Sequence, residues 1–133
     1  MTITHTAIYT LDLERLREFY CKWFGGSAEP EYQNSEQGFS SCVLRFGSGA
    51  ALKLMHSHKL KETVRREFSA GFAHLAFSTE SEESVENLTR QMRADGVPVI
   101  SGPSKAGGSY ESCVLDPDGN RVKITAEQAV HER

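Results

Sequence analysis

Phe72-Ala73-His74-Leu75-Ala76-Phe77 reads as a short β-strand with a histidine at its centre, and Ile3-Thr4-His5-Thr6-Ala7-Ile8 is its counterpart near the start of the chain. Self-similarity at a fixed period marks a duplicated structural unit. The pattern around the two strands supports that reading. Each is followed by an amphipathic helical stretch, the first with Leu16, Phe19, Tyr20, Trp23 and Phe24 on one stripe and the second with Val85, Leu88 and Met92. Gly25-Gly26 and Gly96 stand where a glycine ends a helix. Further on, Ser41-Cys42-Val43-Leu44 is repeated letter for letter as Ser112-Cys113-Val114-Leu115, and each run leads into a turn. The turns are Gly47-Ser48-Gly49 and Asp116-Pro117-Asp118-Gly119-Asn120, both with tight-turn chemistry. A last strand closes each half, Ala51-Leu52-Lys53-Leu54-Met55 and Arg121-Val122-Lys123-Ile124-Thr125.

The offset between the halves is 69 at the histidines, 70 at the lysines and 71 at the Ser-Cys-Val-Leu runs, a drift that small loop insertions would produce. Room for one more short strand lies near Glu31–Gln33 and Val97–Ser101. The order in each half is then strand, helix, strand, strand, strand, which makes the fold class α+β with two βαβββ modules. The expected layout is one domain over residues 1–133, with the repeats at 3–55 and 72–126 and a connector at 56–71. In the connector, Leu60, Val64 and Phe68 are spaced by four, which predicts a short amphipathic helix whose Lys59, Lys61, Arg65 and Arg66 form a solvated face. The tail from Glu127 to Arg133 reads as frayed.

The 133 residues fit one domain, and the 38% apolar and 25% charged content is ordinary for a globular protein. A net charge of −3 argues against a nucleic-acid partner. No apolar run is long enough to span a membrane, and Met1-Thr2-Ile3-Thr4-His5 lacks the pattern of a secretory signal. Cys21, Cys42 and Cys113 are odd in number and form no Cys-x-x-Cys, which points to a reducing cytoplasm. Each reads as a small buried hydrophobe.

Strand side chains alternate between faces. Leu52 and Leu54, and Val122 and Ile124, form the apolar sides that helices should cover, so Lys53 and Lys123 face the other way. His5 and His74 are expected on the same helix-free faces. A single lysine or histidine on a strand is ordinarily solvated or structural. Two of each at repeat-related positions would converge if the halves pair about a pseudo-twofold axis, and four ionisable groups in one concavity build a functional pocket. Glu111 should share a face with Cys113 and reach this pocket or pair with one of its lysines. Tyr110, at the start of the same strand, is a further candidate ligand-binding residue. Arg45 and Arg121 would widen a cationic patch. Ser104–Ser109 reads as a flexible loop of the kind that closes over ligands. His56-x-His58 has a spacing that metals use, but stands beside basic residues.

The His5 strand with Leu11-Asp12-Leu13-Glu14-Arg15-Leu16-Arg17-Glu18-Phe19-Tyr20, the Gly71–Phe77 strand, and Asp116-Pro117-Asp118-Gly119-Asn120 together resemble the vicinal oxygen chelate superfamily of glyoxalase I, bleomycin-resistance proteins and extradiol dioxygenases. The resemblance implies a cup-shaped mixed sheet with helices on the outer faces, and commonly a homodimer. In metal-dependent members it implies one divalent ion (Zn, Ni, Mn or Fe), with ligands from the first and last strands of each half. His5 and His74 match the first pair. The second pair should be carboxylates, and here those positions hold Lys53 and Lys123.

A divalent ion about 7 Å from one ammonium is repelled by roughly 5 kcal/mol at an effective dielectric near 20. The expectation is therefore no cofactor, and an anionic small molecule in place of the metal. Mutual repulsion and desolvation should make one lysine a candidate base or Schiff-base amine. Three functions remain open. The first is a bleomycin-resistance-type protein that sequesters a small anion. The second is a lactoylglutathione-lyase-like isomerase using His5, His74, Lys53, Lys123 and Glu111, with an atypical metal or none. The third is a dimerising module with a relic site.

Overall fold

The computed structural model describes residues 1–61 and 70–126 and divides into two compact units, Met1–Glu67 and Phe68–Arg133. The helix expected in the connector, with Val64, Phe68, Arg65 and Arg66, falls largely outside the described residues, as does the tail from Glu127.

The first unit holds β1 (His5–Tyr9), α1 (Leu13–Phe24), β2 (Ser27–Ala28), β3 (Tyr32–Asn34), β4 (Phe39–Arg45) and β5 (Ala51–Ser57). Its sheet runs β1-β5-β4-β2, with β3 also paired to β4. β1 is parallel to β5 and the other pairings are antiparallel. Asp12 starts α1 by accepting the Arg15 amide at 3.1 Å, and Gly25 ends it in the left-handed conformation at φ 70°. A side-chain acceptor at the N-cap and a glycine past the last turn are the usual end chemistry. The helix buries Leu16, Phe19 and Tyr20 against β4 and β5, where Cys42, Leu44, Leu52 and Leu54 meet it in the core.

The second unit follows this plan with one strand fewer, β6 (His74–Thr79), α2 (Glu82–Ala94), β7 (Val99–Ala106), β8 (Ser109–Leu115) and β9 (Arg121–Ala126). Its sheet runs β6-β9-β8-β7, with β6 parallel to β9 and antiparallel pairs elsewhere. Ser81 caps α2 through the Ser84 amide at 3.1 Å. The helix packs on β7, β8 and β9, with Val85 and Met92 meeting Val114, Val122 and Ile124 in the core. The two-module α+β architecture is therefore present, each module a mixed sheet with one helix.

Four expectations need correction. The Ser-Cys-Val-Leu runs are not structurally equivalent. Val43 registers with Lys53, whereas Cys113 registers with Lys123. The two hairpins therefore share an offset of 70, and the identical letters are out of step by one residue. A one-residue step reverses the face of every side chain, so Cys42 faces its helix and Cys113 does not. No loop insertion separates these hairpins.

The buried polar member of the α2 stripe is Thr89, while Leu88 is only partly buried. The Thr89 hydroxyl bonds the Val85 carbonyl at 2.6 Å and the Ser112 hydroxyl at 2.7 Å.

Ser104–Ser109 is not a free loop. β7 continues to Ala106, which registers with Ser109, and only Gly107-Gly108 turn. Both glycines have positive φ, 58° and 90°, which suits a two-residue hairpin that other residues enter with strain.

The strand expected at Val97–Ser101 accordingly begins later and runs longer. It adapts to β8 through irregularities between Val99 and Ser104. There Gly102 sits at φ 75°, and a side chain would collide with the Glu111 carbonyl oxygen.

Candidate functional site

The helix-free face of the first sheet is defined by register. Ala7, Lys53 and Val43 lie side by side across β1, β5 and β4. His5 is on the same face two residues before Ala7, and is exposed. Its Nδ1 lies 3.2 Å from the Thr4 hydroxyl. Lys53 is half-buried between small neighbours and has no hydrogen-bond or ion-pair partner among the described residues. The next row on this face is Tyr9, Met55 and Ser41. Arg45, on the same face of β4, is bonded through Nε to Glu29 at 3.0 Å.

The second sheet repeats the arrangement. Ala76, Lys123 and Cys113 form the row that matches Ala7, Lys53 and Val43. His74, exposed, precedes Ala76 by two residues and registers with Arg121. The next row is Ser78, Thr125 and Glu111. Here the modules part. Lys123 Nζ donates to Glu111 Oε1 at 3.0 Å, and Ser109 Oγ donates to Glu111 Oε2 at 3.2 Å. The ammonium of Lys123, above all, holds the Glu111 carboxyl below its usual range, with smaller help from Ser109 and His74 against the cost of burial. Ser109 carries no mark of its own in the sequence, but two-residue periodicity from Glu111 places it on that face.

Each sheet thus brings one histidine and one lysine to its helix-free face, and the second adds Glu111. Tyr110 does not join them. It alternates with Glu111, so it faces α2, where its hydroxyl donates to Glu86 Oε1 at 2.6 Å. That bond holds the phenol above its ordinary pKa. A shallow cleft of ≈ 240 Å³ beside Tyr110, with Arg90, Arg93 and Pro103 in its walls, lies on this helix side. It contains none of the repeated histidines or lysines, so the repeat-related positions and not the cleft define the candidate site.

The cysteines are free thiols. Burial chiefly pushes the Cys42 and Cys113 thiols up, which makes them poor nucleophiles. His56 Nδ1 is bonded to the Thr10 carbonyl at 2.9 Å, a structural role that ties β5 to the end of β1.

The profile of the Glyoxalase/Bleomycin resistance protein/Dioxygenase superfamily matches residues 2–124, and the chain belongs to that superfamily. The lactoylglutathione lyase of Escherichia coli O157:H7 is 25% identical over 131 residues, covering 96% of this chain and 94% of the relative. Among solved structures, glyoxalase I of Leishmania major superposes with a TM-score of 0.78 at 25% identity, over 96% of this chain and 87% of that one. A glyoxylase/bleomycin resistance protein/dioxygenase domain from Frankia sp. EAN1pec gives 0.83 at 15% identity, over 98% and 95%, a likeness of fold alone.

The residues present do not fit the divalent ion that the family resemblance implies. Imidazoles stand at two of its four ligand positions, and these are suitable donors. Lysines stand at the other two, replacing two negative charges with two positive ones. The nearby carboxylate, Glu111, is already bonded to Lys123 and Ser109.

Proposed function

We propose that this protein binds a small anionic molecule at a repeat-related histidine–lysine pair on a helix-free sheet face, His5 with Lys53 in the first unit or His74 with Lys123 in the second. The observation that supports the reading is the register itself. In both sheets a lysine occupies the last-strand position that the family resemblance assigns to a carboxylate ligand, one row from a histidine. An ammonium group half-buried among alanine, valine and cysteine side chains favours a negative partner more than it would in bulk water. The imidazole on the same face adds a hydrogen-bond donor. The proposal places the protein in the cytoplasm, in keeping with its free cysteines. Among the described residues no helix is long and apolar enough to cross a membrane. Exposed Ile3, Tyr9, Tyr32 and Phe72 support self-association as a homodimer.

The test is calorimetric titration with benzoate and with inorganic phosphate. The reading expects saturable binding that is lost in a Lys53→Met, Lys123→Met double variant. No binding of either anion by the wild type overturns it. A second reading, isomerisation of the lactoylglutathione lyase type, is favoured by the similarity to the Escherichia coli lyase over nearly the whole chain. It expects turnover in a lactoylglutathione lyase assay that falls in His74→Ala, whereas the sequestering reading expects none. The third reading, a dimerising module with a relic site, expects the double lysine variant to retain full function.

A further inference from the structure

Resting on the anion-binding reading, we infer that the two repeat-related lysines are not equivalent. Lys53 with His5 forms the anion subsite, Lys123 is withheld by Glu111, and the ligand engages through a single carboxylate-type charge.

The argument is one of register. Row by row, the helix-free faces match at an offset of 70 residues in β4–β5 and β8–β9. The position corresponding to Glu111 in the first module is therefore Ser41, since Ser41 registers with Met55 as Glu111 does with Thr125. Ser41 is 5% exposed and uncharged. The first module thus lacks the acid that the second supplies from within its own hairpin. Arg45, the other lysine or arginine on the first face among the described residues, is bonded to Glu29. Among the described residues, Lys53 is left without a carboxylate partner.

An incoming anion at Lys123 must displace Glu111 from a 3.0 Å charge-assisted bond between side chains only 31% and 16% exposed. At Lys53 no described carboxylate has to be displaced. One unpaired ammonium matches a monoanion better than a dianion. An exposed imidazole on the same face can donate to the second oxygen of a carboxylate.

The experiment is calorimetric titration of the full-length protein with benzoate, with circular dichroism confirming the fold of each variant. Lys53→Met is expected to weaken benzoate binding by at least about tenfold, the scale of one lost charge-assisted contact. Lys53→Arg retains binding, and Lys123→Met weakens it clearly less than Lys53→Met does. Glu111→Gln, which frees Lys123, raises benzoate uptake by a second equivalent or by tighter binding. In the wild type, saturating benzoate protects Lys53 and not Lys123 from trace acetylation, read by peptide mass spectrometry. Equal losses in Lys53→Met and Lys123→Met, or equal protection of both lysines, overturn the asymmetry while leaving the anion-binding reading intact. No binding by the wild type, or binding indifferent to both lysines, overturns the reading and this inference together.

Discussion

Lys123 Nζ lies 3.0 Å from Glu111 Oε1, an ion pair on the helix-free face of the second sheet that has no counterpart among the described residues of the first, where Ser41 takes the place of Glu111. The repeat keeps the lysines in step while their surroundings differ. One face presents an uncompensated cation and the other a pair of opposite charges.

The pair makes stability depend on pH in a definite direction. Glu111 titrates lower in the folded chain than when unfolded, chiefly because of Lys123. A depressed carboxyl stabilises the fold above its unfolded pKa of about 4.3 and loses that contribution as pH falls through the folded value. Glu111→Gln should therefore be less stable than wild type at pH 7, by up to about 1 kcal/mol for a partly exposed pair. The difference should vanish in acid. Urea unfolding at pH 7 and at successively lower pH checks this, and a difference that grows in acid would contradict it.

Thr89 and Ser112 form a buried hydroxyl pair between α2 and β8. Thr89→Val keeps the shape but leaves the Ser112 hydroxyl without that partner, at a cost of about 1–3 kcal/mol. Thr89→Val with Ser112→Ala should cost less than the sum of the single changes. Chemical denaturation of the three variants measures the coupling, and strict additivity would show that the two hydroxyls act independently.

At Gly102 a positive φ coincides with close approach to the Glu111 carbonyl oxygen. Gly102→Ala is expected to destabilise the fold by about 1–3 kcal/mol. It should also disturb the Lys123–Glu111 pair, which β8 positions. Thermal unfolding reads the first effect. The second shows as loss of the pH-dependent stability described for Glu111.

Tyr110→Phe removes a bond to Glu86 on the helix side and should leave benzoate affinity within about twofold of wild type. A loss on the scale of Lys53→Met would place Tyr110 at the ligand after all.

Most of the fold was legible because its signals are local and occur twice. The histidine strands, the glycine-terminated helices and the apolar alternation in the last strands each specify an element without knowledge of the rest. The limits are equally physical. Identical letters suggested that Cys42 and Cys113 correspond, but pairing is set by hydrogen-bond register between strands, which single-letter matching does not contain. Ser104–Ser109 looked like a loop because it is rich in glycine and serine, yet two glycines suffice for the turn and the remaining residues pair. Leu88 seemed the natural core residue of α2, whereas a threonine can be buried there because Ser112 and a helical carbonyl satisfy its hydroxyl. For the site, alternation along one strand allows Glu111 or Tyr110 on a given face but not both. The choice followed from Cys113 and Lys123 in register beside it. The bond between Glu111 and Lys123 spans two strands and is visible only once β8 and β9 are aligned.

The central claim is that lysines have turned a metal-ligand pattern into an anion site, and metal loading tests it most directly. Purified protein is dialysed in turn against Zn²⁺, Ni²⁺, Mn²⁺ and Fe²⁺, freed of unbound ion, and analysed for metal content. The account predicts far less than one ion per chain with every metal, and no change in His5→Ala. One ion per chain, lost in His5→Ala, would contradict it.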